Sequence, residues 1–333
     1  VQADNLEKLA VSNRIALEKA GSGDNSAYEI VPVYFATNRA KTGLANPLNL
    51  YGSVSADVTM GVAYVSLPRA RRIGKIPLPA FYRLDFRSDP RRHVVVKELV
   101  LQDATEFRTS LATRVNGSSR KEALVYIHGY KSSFTDAVQR AAQLAVDLRI
   151  DGAAVAYSWP SKNALLQYSA DEDEADKLVH QEALAALLQE VRDKTGAQHV
   201  YVISHSLGNR LTLKALEMMK SGPMGPNASA FDAVVFASAD VNADDFQVRV
   251  SRLGGAARHF TLYASSDDNA LLVSGKLHAR RRAGDANQKV PGTDLLEVVD
   301  STNAKTDFIG HSDYAFLAAD DLAGIIWNNL PAN

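Results

Sequence analysis

Cysteine is absent from the 333 residues, which removes disulfides, thiolate metal sites and cysteine nucleophiles together. An excess of one charge is also missing. Lys and Arg number 37 against 38 Asp and Glu, a formal net charge of −1, so nothing in the balance favours nucleic acid or an anionic membrane surface. No stretch of about 18 apolar residues occurs, so no membrane-spanning helix is expected. The eight histidines are scattered, and none pairs with a carboxylate at ligand spacing on one helix, so no metal or cofactor is expected. There is no internal repeat and no low-complexity segment. The remaining composition, 46% hydrophobic and 23% charged, is that of a globular protein. The length suits one large α/β domain or two ordinary ones.

Residues 1–29 read as a helical leader and linker. Leu6, Leu9, Ile15 and Leu17 lie among charges, and Gly21-Ser-Gly-Asp-Asn-Ser26 follows. An opening without methionine fits a mature form after signal removal, or a trimmed chain, and leans towards export to the periplasm or medium. Residues 30–333 read as one folded domain, which the motifs below mark as the catalytic domain. Strands are expected at 30–36, 61–67 and 93–101, with a long Gly-, Pro- and Asn-rich loop between the first two and a helix near 105–115. From Lys121 apolar runs alternate with helical stretches, the mark of βαβ units and a mainly parallel sheet flanked by helices. Strands are expected at 123–127, 153–157, 199–204, 233–237, 259–263 and 295–299. Helices are expected at 134–148, 174–194, 206–220, 243–253 and 314–328. The acidic run Asp171–Glu174 reads as an exposed helix start. The basic stretches Arg69–Lys75 and Arg280–Arg282 read as solvated faces.

The chemistry centres on Ser204-His-Ser-Leu-Gly208. Small residues at 204 and 208 around Ser206, between an apolar run and a helical pattern, fit a nucleophile elbow, in which a sharp strand-to-helix turn presents the serine hydroxyl. A capping serine at an ordinary junction would leave a similar trace. A serine nucleophile needs a base, and the base needs a carboxylate to hold its tautomer. His311, between the last strand and the last helix, is the candidate base. His278 and His259 are less well placed. For the acid, Asp267 and Asp268 follow the strand ending at Tyr263. Asp268 is preferred because apolar Leu271, three residues on, can anchor the turn. Asp240, after the preceding strand, remains an alternative. The oxyanion formed in acyl transfer needs two N–H donors. Leu207 and, in His128-Gly129-Tyr130, the amide of Tyr130 are the candidates, with His128 holding the loop by hydrogen bonds. Trp159 and Tyr168 are expected to wall an open, lidless substrate site, although Trp159 also suits a core. An open, shallow site would favour short acyl chains.

These pieces together resemble the α/β-hydrolase superfamily, within it a bacterial branch of unknown function. The matching segments are Tyr34–Arg39, His128–Tyr130, Tyr157–Ser161, Ser204–Arg210, Tyr263–Leu271 and Gly310–Ser312. The resemblance implies the α/β-hydrolase fold with extra N-terminal strands, a Ser206–Asp268–His311 triad, and esterase- or lipase-like action on a small-molecule or lipid ester. The same triad would also serve an amidase, peptidase or acyltransferase, and a catalytically inactive hydrolase fold would serve as a binding module.

Overall fold

The computed structural model describes residues 27–44, 46–71, 76, 89–164, 167–222, 231–266, 281–288 and 290–302. The chain enters a long antiparallel hairpin, β1 (Tyr28–Lys41) and β2 (Tyr51–Pro68), paired from Tyr28↔Pro68 to Lys41↔Tyr51. Both strands run well past the expected 30–36 and 61–67, so the long loop shrinks to residues 42–50. The extension has a physical cause. Val54 and Val58 are exposed, and a wet hairpin lacks the buried face that produces apolar periodicity. β3 (Val95–Gln102) completes the N-terminal group, antiparallel to β2.

Beyond it the six later strands lie within two residues of expectation: β4 (Glu122–Ile127), β5 (Ala153–Ser158), β6 (His199–His205), β7 (Phe231–Ala237), β8 (Ala257–Ala264) and β9 (Leu296–Asp300). The sheet order is β3-β2-β1-β5-β4-β6-β7-β8-β9. β1 pairs in parallel with β5, and parallel pairing continues from there to β9. β4 and β5 are buried along their whole length, as central parallel strands covered on both faces should be.

Helix starts are written locally. α1 (Ala104–Asn116) opens with a capping box in which Asp103 accepts from the Thr105 and Glu106 amides and Glu106 returns to the Asp103 amide. Its Phe107, Leu111 and Val115 are buried at four-residue spacing. α2 (Phe134–Asp147) uses Ser133 and Asp136 in the same way. The single helix expected at 174–194 is two, α3 (Tyr168–Ala175) and α4 (Leu178–Lys194). The acidic run therefore lies inside α3 rather than at an exposed start, and Asp171 and Glu174 are buried. Both are buried because they are engaged. Asp171 accepts from loop groups described below, and Glu174 meets Lys162, Lys177 and His180. α5 (Gly208–Ser221) and α6 (Ala243–Arg252) follow. The leader and the helix expected at 314–328 lie outside the described residues.

Strand side chains alternate between two cores. Val125, Ile127, Val155 and Val202 meet α1, α4 and α5 on one face, while Leu124, Tyr126, Tyr201 and Ile203 meet α2 on the other. The basic stretches are not simply solvated. Arg71 pairs with Asp147 at 2.6 Å with both side chains buried, and Arg282 is 3% exposed beside Asp240. Among the described residues, no helix is long and apolar enough to cross a membrane.

Candidate active site

β6 ends at His205 and α5 begins at Gly208, so the reversal is made by Ser206 and Leu207. Ser206 sits at φ +51°, a left-handed conformation that costs a non-glycine residue on the order of 1–3 kcal/mol and persists only where the surroundings enforce it. The enforcing contacts are specific. The Ser206 amide donates to Ala237 O at 3.0 Å, and Ser206 O accepts from the amide of Asn209 at 3.1 Å and from its Nδ2 at 2.9 Å. Asn209 Nδ2 also reaches Ala237 O, and Ser204 Oγ donates to Asn209 Oδ1 at 2.5 Å. Ser204, at the place where the motif G-x-S-x-G has its first glycine, thus orients Asn209. Nothing in the sequence pattern singles out Asn209. The trace it leaves is a polar residue directly after the elbow glycine, at a buried helix position.

Two glycines let the loop after β4 close on this turn. A Cβ on Gly208 would lie 2.4 Å from His128 O, and one on Gly129 would lie 2.5 Å from Ser206 Cβ and 2.6 Å from His205 O. Neither leaves room for a methyl group. Ser206 itself is 1% exposed, which corrects the expectation of a freely presented residue. The loop expected to supply an oxyanion donor presses directly on it. α1, α2 and α6 have side-chain caps, whereas α5 has none. The Leu207 amide, at the start of α5, makes no hydrogen bond among the described residues, which leaves a donor beside Ser206.

The loop after β4 is held from below by Arg39, at the bulged end of β1 and only 2% exposed. Its Nε donates to Ser158 Oγ at 2.9 Å, Nη1 to Gly52 O and Ser161 O at 3.0 Å each, and Nη2 to Ser132 O at 2.6 Å. Burial lowers its pKa to about 10, against the opposing charges of Asp171 and Asp136. Asp171 joins the same two loops, accepting from Ser161 Oγ at 2.6 Å and from the amides of Lys162 at 2.5 Å and Lys131 at 3.1 Å. His128 is buried against this cation. Burial first, then Arg39, lower its pKa to about 3, so the ring is neutral at physiological pH.

Trp159, expected in the pocket wall or the core, lies in the core. Its indole stacks on His128 with ring centroids 5.1 Å apart, and Nε1 donates to His128 O at 2.8 Å. Tyr168 opens α3, meets Tyr130 edge-on at 5.4 Å and donates to Asp240 Oδ2 at 2.6 Å. Asp240, the alternative acid, is buried. It pairs with Arg282 Nε at 3.2 Å, and its amide reaches Ser206 O at 3.4 Å. The structure thus brings Ser206, Leu207, Gly129, Tyr130, Tyr168 and Asp240 to one end of the parallel strands. Asp267, Asp268, His278 and His311 lie outside the described residues.

A cleft of about 750 Å³ between α3, α5 and α6 is separate from the elbow, lined among others by Glu172, Asp176, Arg210, Asp245, Arg249 and Arg282. Its charges already pair with one another, Arg210 with Glu172 and Asp176, and Arg249 with Asp245. Among the described residues, no cluster of side chains suits a metal ion.

Among solved structures, the chain is similar to lipase B of Aspergillus fumigatus, at 14% identity and TM-score 0.38, over 67% of this chain and 57% of that one. The present chain therefore spans little more than half of that lipase. It is also similar to a lipase-esterase related protein of Clostridium acetobutylicum, at 12% identity and TM-score 0.32, over 63% and 94% of the two chains. A thermophilic esterase of Thermogutta terrifontis overlaps at 12% identity and TM-score 0.29, over 65% and 87%. Overlaps this loose have no bearing on chemistry. No curated protein matches the sequence. The model of a family described as "Alpha/beta hydrolase of unknown function (DUF900)" matches residues 103–323, from the cap of α1 past β9 and including Ser206. With more than half of its length matched, and with a mainly parallel sheet and helices on both faces, the chain belongs to this family of alpha/beta hydrolases.

Proposed function

We propose that the protein is a serine hydrolase that cleaves carboxylic esters through an acyl-enzyme intermediate. The observation that carries this reading is the backbone of Ser206. A non-glycine residue at φ +51° is held between strand and helix, with Gly129 packed against its Cβ and Gly208 letting the start of the helix close on His128 O, which is the geometry a nucleophile elbow requires. In this reading Ser206 Oγ attacks the acyl carbon while His311 takes its proton and passes it to the leaving alcohol. Asp268 orients His311, and Asp267 and Asp240 are the alternatives for that task. The amides of Leu207 and Tyr130 hold the oxyanion, and water activated by His311 then releases the acid. Tyr168, at the rim beside Tyr130, contacts the substrate, a small-molecule or lipid ester. The chemistry needs no cofactor. Residues 30–333 form the catalytic unit in this proposal, with 1–29 as leader.

The test is labelling with a fluorophosphonate followed by peptide mapping, alongside hydrolysis of p-nitrophenyl acetate. Label on Ser206 and loss of turnover to background in Ser206→Ala are expected. A folded wild-type protein that takes no label and turns over neither ester nor amide would instead identify a binding module. Turnover of amides above esters would make it an amidase.

A further inference from the structure

We propose that Arg39 and His128 are positioning residues for the oxyanion donor. Arg39 selects the ring tautomer of His128, and that ring fixes the peptide plane carrying the Tyr130 amide. The proposal rests on the reading of Tyr130 N–H as one of the two donors.

The argument starts from where the ring atoms lie. His128 Nδ1 is 2.9 Å from Gly129 O, while Nε2 is 3.1 Å from Trp159 O, 3.3 Å from Arg39 Nη2 and 3.3 Å from Ser158 Oγ. Protonation of both nitrogens would satisfy both carbonyls. Burial and the adjacent guanidinium oppose that form, so one proton has two possible sites. If it sat on Nε2 it would reach Trp159 O, but two contacts would become repulsive: the Nδ1 lone pair against Gly129 O, and an Arg39 N–H against Nε2–H. If it sits on Nδ1, the Gly129 carbonyl is satisfied and Nε2 becomes an acceptor. Two donors then converge on Nε2. One is Arg39 Nη2; the other is the Ser158 hydroxyl, whose oxygen already accepts from Arg39 Nε. Only the Trp159 carbonyl is left facing a lone pair. The Nδ1–H tautomer wins on this count, and Arg39, which stays charged at neutral pH, secures the choice.

The consequence follows from peptide geometry. Gly129 C=O and Tyr130 N–H belong to one planar unit and point in opposite directions. A hydrogen bond that holds the carbonyl on the His128 side therefore aims the Tyr130 N–H away from it. The plane is pinned on its other flank by the close approach of Gly129 to Ser206 and His205. Arg39 comes from β1, which precedes the family match at 103–323, so an N-terminal strand contributes to the site through this one side chain. The guanidinium binds four backbone or hydroxyl oxygens besides the ring, and lysine, with three donors on one nitrogen, cannot span them.

Two measurements test this. The first is the tautomer itself, read from the imidazole ¹⁵N shifts of His128 in the wild-type protein at neutral pH. A proton on Nδ1 is expected, and a proton on Nε2 or on both nitrogens overturns the proposal whatever the enzyme's activity. The second is a kcat-against-KM split in His128→Asn and His128→Phe. Asn places an amide N–H close to the Nδ1 position and should stay within about tenfold of wild type. Phe keeps the stack on Trp159 but has no donor, and should lose on the order of 10²–10³ in kcat with KM changed by less than about threefold, the size expected for a lost oxyanion donor. Thermal unfolding checks that both variants fold. If either is unfolded, Arg39→Lys with the ¹⁵N measurement replaces it, and unchanged Nδ1 protonation there removes Arg39 from the proposal. A Phe variant as active as wild type, or an Asn variant as impaired as Phe, overturns it. A wild-type protein with no turnover defeats the hydrolase reading instead, and the tautomer measurement then decides this proposal alone.

Discussion

Gly129→Ala is the sharpest probe of how the loop after β4 meets the elbow. The added methyl would lie 2.5 Å from Ser206 Cβ and 2.6 Å from His205 O, whereas unstrained carbon contacts are about 3.5–4.0 Å. Neither neighbour is the free end of a flexible side chain, so loop and turn must separate by about 1 Å. That displacement moves the Tyr130 amide relative to Ser206, and a misplacement of this size costs on the order of 10²-fold in rate. Overpacking costs about 1–3 kcal/mol. With an unfolding entropy of about 2.1 cal/mol/K per residue over this chain, that lowers Tm by only about 1–4 °C. Activity should therefore collapse while the fold survives. The assay is kcat/KM on p-nitrophenyl acetate beside a calorimetric scan. Gly254→Ala serves as control, since its nearest contact, Leu295 Cδ1, is an ordinary 3.5 Å away. More than half of wild-type kcat/KM in Gly129→Ala, with Tm unchanged, would refute the placement of the loop against Ser206.

Two further outcomes are expected. The His128 pKa is about 3 in the fold against an ordinary 6.5, so the unfolded chain binds the extra proton first; its stabilising contribution is complete above about pH 6.5 and is lost as pH falls towards 3, at up to about 1.4 kcal/mol per pH unit. Urea unfolding at pH 6 and pH 5 should show a steeper loss for wild type than for His128→Phe, and equal losses would mean that the ring is not buried neutral. For the acid, Asp268→Asn should cost about 10⁴-fold in kcat, as an amide that favours the wrong histidine tautomer does, and far more than Asp267→Asn or Asp240→Asn. If Asp240→Asn is the most damaging, the acid comes from the loop after β7, where Asp240 already touches Ser206 O.

Much of the architecture was legible because it is written in local chemistry. The central strands β4 to β7 are apolar runs long enough to cross a sheet buried on both faces, and helix starts such as Asp103-x-x-Glu106 are spelled by their caps. The hairpin β1–β2 was underestimated because its outer half exposes Val54 and Val58 and so has no buried face to read. The acidic run at 171–174 was misplaced for the opposite reason. Charges in sequence suggest solvent, and only the fold shows that Asp171 is buried to receive two backbone amides and a serine hydroxyl.

At the candidate site the division is similar. The motif around Ser206 was visible because an elbow needs small residues at fixed offsets, and that requirement is local. Of the supporting set, His128 as a loop holder and Trp159 as a core residue are legible in the sequence, whereas the roles of Arg39, Asp171 and Asn209 are not. A buried arginine 89 positions before its histidine partner leaves no periodic trace, because the two meet only when β1 joins β5 at the centre of the sheet. The sequence by itself determined the class of fold and the turn that presents Ser206. Which charges are buried, which glycines touch and what holds the loop after β4 were decided only by tertiary structure, since each depends on the close approach of strands that are distant along the chain.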